Sequence, residues 1–175
     1  GDVYKRQDKN KPEKQQRNQT GSPILEEGDI LLNTTLAETS DWQQVDLSVV
    51  STLRHFCIET LSSYTEDNQA CISEVDLLDD KGQPIDKTKW EVVYVSSEQA
   101  DKNLGIAENL FDGDISSFWH TDPATEPGQP HRIIVDIKEI YKISALRFKV
   151  RKGAFLSGKV KEINVYGRPQ FFLFH

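Results

Sequence analysis

The sequence predicts an all-β fold, built as an antiparallel β-sandwich or jelly roll. From Ile24 onward, short runs rich in β-branched and aromatic residues are separated by Gly, Pro, Asp, Asn and Ser, which is the pattern of strands and turns. Between residues 143 and 151, apolar residues trade places with Ser, Arg and Lys, as in a strand with one buried and one solvated face. No convincing apolar repeat of an amphipathic helix accompanies them. Many short strands at even spacing are typical of a sandwich or a jelly roll.

Nine strands are predicted along the chain, each enriched in aliphatic, aromatic or β-branched residues between turn-forming residues. They cover residues 29–33, 42–47, 53–62, 70–79, 90–95, 131–137, 143–151, 159–166 and 170–174. Residues 98–111 are predicted to contain one short helical turn.

Charge excludes several classes of partner. The chain of 175 residues carries 21 Lys and Arg against 28 Asp and Glu, a net charge of -7. Residues 1–23 hold six of the basic and three of the acidic residues, so residues 24–175 carry a net charge of -10. Binding to nucleic acid or to anionic lipid requires a basic surface. We therefore expect neither nucleic-acid binding nor membrane binding, and no stretch approaches the ~18 apolar residues of a membrane span.

The chain is predicted to divide into three parts. Residues 1–23 are basic, polar and nearly free of apolar residues, so we expect a disordered tail. Residues 2–7, DVYKRQ, resemble the translation of an adapter used in sequencing libraries, which would make part of the tail an artefact. Residues 24–52 are either a β extension of the following domain or the remnant of a preceding module. Residues 53–175 form the main domain, which we expect to be cut from a larger protein.

No pattern of residues predicts catalysis. Cys57 and Cys71 fall on neighbouring predicted strands, where they are either buried free thiols or a disulfide, and two cysteines alone cannot form a metal framework. The four histidines lack metal-ligand spacing, and no G-x-S-x-G elbow is present. The sequence therefore predicts a protein that is not an enzyme.

Residues 89–168 carry a set of motifs in a specific order. These are the Asp112-Gly113-Asp114 turn, the segment FWHT at 118–121, Pro130-His131 before an IVDI strand, and Arg151 followed by GKVK at 158–161. Together they closely resemble the discoidin domains (coagulation factor five/eight type C), nearest to the family 32 carbohydrate-binding modules. Residues 71–86 and Trp90 are similar to the opening strand and turn of the same family, so the resemblance covers about 53–168.

The resemblance implies a galactose-binding-like jelly roll and a non-catalytic, calcium-containing module that binds glycans of the galactose or amino-sugar type. Such modules are usually attached to a glycoside hydrolase or an esterase. It therefore implies a secreted protein, located outside the cell, in the periplasm or on the cell surface, with a catalytic domain upstream.

Four sugar-binding positions follow from the resemblance. Its His and Arg fall on His120 and Arg151, whose imidazole and guanidinium can pair with sugar hydroxyls. Its Glu and Asn fall on Asn103 and Ser157, so the sequence departs from the family at two of the four positions. Phe155 is either a ring that stacks on the sugar or a side chain tucked under its loop.

The resemblance also implies a structural Ca²⁺ held by Asp112, Asp114 and Ser117, since hard oxygen ligands in a tight turn suit calcium. The alternative for these residues is an ordinary Asx turn. The further acidic ligand that the family places near its C-terminus has no clear counterpart. Trp90 and Trp119 sit beside apolar residues at strand edges, which predicts core positions for both.

Two other functions remain open at this point. One is a discoidin-type adhesion domain that binds protein or lipid, which the net charge of -10 over residues 24–175 disfavours. The other is the C-terminal β-domain of a hydrolase whose catalytic part lies outside this chain.

Overall fold

In the described part of the chain, seven strands form one antiparallel sheet. The computed structural model describes residues 21–125, 128–151 and 157–175, together with Glu13, Arg17 and Gln19. Its strands are β1 (Ile30–Thr35), β2 (Gln43–Thr60), β3 (Cys71–Asp79), β4 (Glu91–Val95), β5 (Trp119–His120), β6 (His131–Val150) and β7 (Glu162–Arg168). Their order is β1-β7-β2-β6-β3-β5, and β4 pairs with β6 off this path. The predicted all-β class and antiparallel pairing are confirmed, and both are consistent with a galactose-binding-like fold.

Two strands are much longer than predicted. The predicted strands 42–47 and 53–62 are parts of β2, and 131–137 and 143–151 are parts of β6. The ladder between β2 and β6 is irregular between Asp46 and Ser51 and again between Leu53 and His55. Such bulges bend a strand without ending it, so the residues that look like turns in the sequence are bends within continuous strands.

The remaining elements are short. 3₁₀ helices cover Glu27–Asp29, Asp101–Asn103 and Ala107–Phe111, and the last two confirm the helical turn predicted within 98–111. The predicted strand 170–174 is wrong, because this segment contributes only an isolated bridge between Phe174 and Pro23. In the described ranges, no helix has the length and apolar character needed to cross a bilayer.

β2 and β6 pass through both halves of the sheet. The end of β2 pairs with the start of β6 (Thr60 with His131), and the start of β2 pairs with the later part of β6 (Gln43 with Phe148). β4 adds to the first half of β6 and β3 to the second half. Side chains from both halves belong to one core cluster, so the bent sheet encloses its own core.

The main core includes the two tryptophans that the sequence predicted there. Trp119 is fully buried and donates from Nε1 to the carbonyl oxygen of Ser97 at 3.0 Å. Trp90 is buried and packs edge-on against Phe56, with 5.5 Å between ring centroids. Pairing the indole N–H of Trp119 removes the cost of burying a polar group.

A second, smaller cluster lies on the opposite face of the sheet. It contains Cys57, Ile134 and Phe172, and the first two alternate along their strands with residues of the main core. Leu25 and Phe174 pack against it, and their segments are joined where Ile24 N–H donates to the carbonyl oxygen of Leu173 at 2.8 Å. Both cysteines are buried and free, with Cys57 on β2 and Cys71 on β3, which β6 separates. The free-thiol alternative therefore describes this structure.

Residues 30–52 belong to this same sheet. β1 pairs with β7, and β2 runs without interruption across the predicted boundary between residues 52 and 53. Gly167 of β7 marks a close contact in this region, because a Cβ there would lie 2.7 Å from Cδ1 of Leu31.

His55 holds the C-terminal segment against β2. Its Nδ1 accepts the backbone N–H of Phe172 at 2.8 Å, and its ring stacks on Phe171 at 4.7 Å. Burial lowers the pKa of His55 to about 4. In the unfolded chain the pKa of a histidine is about 6.5. Between pH 6.5 and 4, His55 is therefore protonated in the unfolded chain and neutral in the native state. The free energy of unfolding should fall over that window and be unaffected by this group above it.

We predict that His55→Gln, which keeps an acceptor and removes the titration, gains stability relative to the wild type as pH falls from 7 to 4.5. Urea unfolding at several pH values measures the difference. His175→Gln, at the exposed terminal histidine, is the control and should follow the wild type. A His55→Gln curve parallel to the wild type over this range would contradict the prediction.

Candidate functional site

His120 lies on β5, paired with Cys71 at the start of β3. Its side chain is buried, and Nδ1 lies 2.5 Å from the carbonyl oxygen of Thr121. Because a carbonyl only accepts, Nδ1 carries the proton and Nε2 accepts from Oγ of Ser157 at 2.7 Å. Burial lowers the pKa of His120 although the bond to Thr121 opposes it. The imidazole is therefore neutral near pH 7, and its Nε2 is hydrogen-bonded to the Ser157 hydroxyl.

Arg151 follows the last residue of β6 and reaches the same place. Its guanidinium carbon lies 4.1 Å from the centroid of the Phe118 ring, which is a cation–π contact. Burial raises the pKa of the Cys71 thiol to about 12, although the neighbouring Arg151 guanidinium opposes this shift. The guanidinium has five N–H donors in a fixed fork, and its contact with the Phe118 ring uses none of them as a conventional hydrogen bond.

Asn103 lies in the loop that borders β5. The loop is attached on both sides, because Gln99 N–H donates to the His120 carbonyl at 2.8 Å and His120 N–H donates to the Gly105 carbonyl at 3.1 Å. Asn103 is buried and has a left-handed φ of 59°. A side chain at Gly105 would crowd the site, since a Cβ there would lie 3.0 Å from His120 Cβ.

Ser157 and Gly158 connect this cluster to the loop 63–69. Gly158 N–H is shared between Oγ1 of Thr65 and Oδ2 of Asp67, both at 3.1 Å, and its carbonyl accepts Cys71 N–H at 2.8 Å. Phe155 lies outside the described residues, so its stacking role stays a prediction. Of the predicted positions, the structure brings His120, Arg151 and Ser157 together and places Asn103 in the adjoining loop.

Phe118 and Asp67 were not among the predicted site residues. Phe118 was predictable as a neighbour of His120, because residues 118 and 120 fall on one side of a strand. In the structure its ring packs edge-on to His120, with 6.3 Å between ring centroids. Asp67 had only the signal of a polar turn. Its position beside Ser157 depends on pairings between distant segments, which no local pattern contains.

The predicted calcium ligands lie within one turn. Asp112 Oδ1 accepts the N–H of Asp114 at 2.9 Å, and its Oδ2 accepts the Ser117 hydroxyl at 2.5 Å. This is the hydrogen bonding of an Asx turn. The donors are all oxygen, which is the chemistry that calcium takes, and Ca²⁺ would replace these internal hydrogen bonds. Among the described residues, no three His, Cys, Asp or Glu side chains are grouped to hold a metal ion.

The same turn is attached to β3 through a buried ion pair that the sequence analysis missed. Glu74 is 1% exposed, accepts Gly113 N–H on Oε2 at 3.0 Å and pairs with Nζ of Lys87. Lys87 also lies 2.6 Å from Oδ1 of Asp76. Burial raises the pKa of Glu74 to about 7, against the opposing effect of Lys87. Burial also raises the pKa of Asp112, which contacts Glu74.

Residues near the N-terminus contact a neighbouring part of this face. The Arg17 guanidinium pairs with Glu98, Nε to Oε2 at 2.8 Å, and with Glu108. Gln19 Oε1 accepts Val95 N–H at 3.2 Å. Most other residues of the tail 1–23 lie outside the described ranges, so the disorder predicted for them stays a prediction.

We predict that Lys87→Met lowers the free energy of unfolding by about 3–5 kcal/mol, because it leaves Glu74 buried without a counter-charge. Urea unfolding at pH 8 measures the change. The double variant Lys87→Met/Glu74→Gln should recover most of the loss, and Lys89→Met, at an exposed neighbouring lysine, should change little. Equal effects of Lys87→Met and Lys89→Met would show that the ion pair does not support the turn.

Two comparisons with known proteins bear on this face. Residues 92–170 match the F5/8 type C domain family, whose members are typically non-catalytic binding domains. The chain is also 33% identical, over 84 residues, to a sialidase of Micromonospora viridifaciens. That alignment covers 47% of this chain and 13% of the sialidase, so the chain spans a small part of that relative. Both matches support a carbohydrate-binding domain, and the part of the chain with β4 to β7 and the loops around His120 and Arg151 is similar to the F5/8 type C, or discoidin, domains.

Proposed function

We propose that this chain is a non-catalytic module that binds glycans of the galactose or amino-sugar type at the loops around His120, Arg151 and Ser157. The observation that carries the proposal is the convergence of these three side chains, from β5, the end of β6 and the segment before β7, inside the region that matches the F5/8 type C domain. Sugar recognition needs planar polar groups placed where paired hydroxyls can reach them.

The Ser157 hydroxyl would link the His120 imidazole to the sugar by hydrogen bonds. It donates to Nε2 of His120, which leaves the Ser157 oxygen to accept from a sugar hydroxyl. Such a chain of hydrogen bonds polarises each member and favours a donor at the open end. His120 would thus act on the sugar through Ser157 and fix the direction of its hydroxyl.

Arg151 would supply the complementary donors. Its guanidinium is held over Phe118, so little side-chain entropy is lost when it binds. A fork of fixed donors suits two neighbouring sugar oxygens better than a flexible ammonium does. One acceptor at Ser157 and a donor fork at Arg151 match the alternating donors and acceptors of a sugar ring.

We further propose that the module serves a larger glycan-degrading enzyme outside the cell. The support is the sialidase relative, of which this chain covers 13%. Determining the complete coding sequence tests this part, because the proposal expects a catalytic domain in the same polypeptide. Hydrolysis of a glycan by residues 24–175 alone would overturn the non-catalytic assignment.

We predict that Arg151→Ala lowers affinity for galactosides or amino sugars at least 10-fold, because one lost charge-assisted hydrogen bond is worth about 1.5–3 kcal/mol. A glycan array and titration calorimetry measure it. Arg151→Lys should lose part of the affinity. Arg147→Ala, which removes an arginine stacked on Trp42 elsewhere on β6, is the control and should bind as the wild type does. Binding to anionic liposomes and to no glycan would contradict the proposal and favour an adhesion domain.

We also propose that Asp112, Asp114 and Ser117 hold a structural Ca²⁺, which would cross-link the turn that they form. We predict that Ca²⁺ at 100 times its dissociation constant raises the melting temperature by roughly 5–10 °C over EDTA. Differential scanning calorimetry measures the rise, which Asp112→Asn should abolish. Mg²⁺ is the control ion. A melting temperature unchanged by Ca²⁺ would remove calcium from the proposal and leave glycan binding intact.

A further inference from the structure

A polar pocket lies directly beside the cluster of His120, Arg151 and Ser157. It has a volume of about 330 Å³ and is formed by the loop 67–69, by Pro123, Thr125 and Gly128, and by Ser157. We call it the Asp67 pocket. Its polar lining consists of Asp67, Asn68, Gln69, Thr125 and Ser157, completed by a proline and a glycine.

The pocket and the proposed sugar site share a side chain. Ser157 lines the pocket, and its Oγ lies 2.7 Å from Nε2 of His120. The N–H of the next residue, Gly158, donates to Oδ2 of Asp67 at 3.1 Å. A ligand that contacts Ser157 therefore reaches the edge of both sites.

The pocket is built before any ligand arrives. The side chain of Gln129 donates to the Gln69 carbonyl at 3.2 Å and accepts from the Thr60 hydroxyl at 2.8 Å. His131 Nε2 donates to the Asn68 carbonyl at 2.6 Å. These bonds tie the loop to the ends of β2 and β6, so little conformational entropy has to be lost on binding.

Asp67 gives the pocket its chemistry. Oδ1 accepts from Gln69 N–H at 3.1 Å and from Thr65 at 3.0 Å, with Ser63 at 3.3 Å, while Oδ2 accepts only from Gly158 among the described residues. A carboxylate has about four acceptor positions, so Oδ2 can accept from one more donor. Burial raises the pKa of Asp67, but hydrogen bonds from Gln69, Thr65 and Gly158 lower it below its usual range. The group is ionised at neutral pH.

No basic side chain lies among the pocket's described lining residues. A carboxylate with a free acceptor position attracts hydroxyl and ammonium donors. It repels another carboxylate or a sulfate, and such a like-charge contact is a device of specificity. The pocket therefore suits a neutral or an amino sugar unit and disfavours an acidic one.

We propose that the Asp67 pocket is a second subsite, which receives the next unit of a glycan held at His120, Arg151 and Ser157, and which selects neutral or amino units over acidic ones. The proposal rests on the function proposed above. It makes the ligand an oligosaccharide of two or more units, with Asp67 as its specificity-determining residue.

The test uses the complete chain and four related probes: galactose, lactosamine, N-acetyllactosamine, and N-acetyllactosamine sulfated at O6 of its glucosamine unit. Titration calorimetry at pH 7 compares the wild type with Asp67→Asn, which keeps the shape and removes the charge. We expect affinity for lactosamine to fall at least 10-fold and for N-acetyllactosamine about 3-fold, while affinity for the sulfated probe rises at least 3-fold. Affinity for galactose should not change.

Two further variants keep the result interpretable. Asp86→Asn makes the same change in an exposed Asx turn, where Oδ1 accepts Thr88 N–H at 2.9 Å, and should bind all four probes as the wild type does. Thr125→Val removes a hydroxyl of the pocket without touching the 63–69 loop, and should weaken both disaccharides at least 3-fold without changing galactose binding.

Each remaining outcome decides a separate point. Unchanged selectivity in Asp67→Asn, with both disaccharides still bound, overturns the second subsite and leaves the proposed function standing. An equal loss for all four probes, with a lowered melting temperature, shows that Asp67 only supports its loop and also overturns the subsite. If the wild-type chain binds none of the probes, the galactose-type function itself is wrong.

Discussion

The curvature of β6 is the constraint on which the rest of the molecule depends. This strand of 20 residues starts beside Asn68, whose carbonyl accepts from His131, and its last residue, Val150, pairs with Ile72. Both ends of one strand therefore meet the segment 68–72. Such a path requires β2 to bend with β6, which the irregular ladder between Asp46 and His55 permits. This path of β6 brings Arg151, His120 and the 63–69 loop to the same end of the sheet.

Polar groups at this end of the sheet are buried and mostly paired. The His120 ring has a partner on each nitrogen, and the Thr121 hydroxyl donates to Gln69 at 2.6 Å while accepting Ala70 N–H at 3.0 Å. An unpaired group in such surroundings costs about 1–3 kcal/mol, so each of these bonds restricts the positions of its neighbours. The loops are thereby held in one arrangement by the same interactions that stabilise the domain.

The local features of the fold and about half of the candidate site were predictable from the sequence. Alternation predicted most strands, and the motifs around His120 and Arg151 predicted their convergence, because a motif records positions that a fold brings together. The continuity of β2 and β6 was not predictable, since a bulge and a turn use the same residue types. The pairs Glu74–Lys87 and Asp67–Gly158 were missed for another reason. Each depends on a contact that only the folded chain creates, and in the sequence each member reads as an ordinary surface charge or turn residue.

The buried thiols have a practical consequence. Cys57 and Cys71 are the two cysteines of the sequence, both are buried, and burial raises the pKa of each. Thiolates are the nucleophiles that react with alkylating reagents, so neither buried thiol of the native protein is expected to react with them. A cysteine introduced on an exposed loop can then carry a fluorophore at a single defined place. The loops that border the two proposed sugar subsites become accessible to distance measurements in solution, in a domain whose two cysteines form no disulfide.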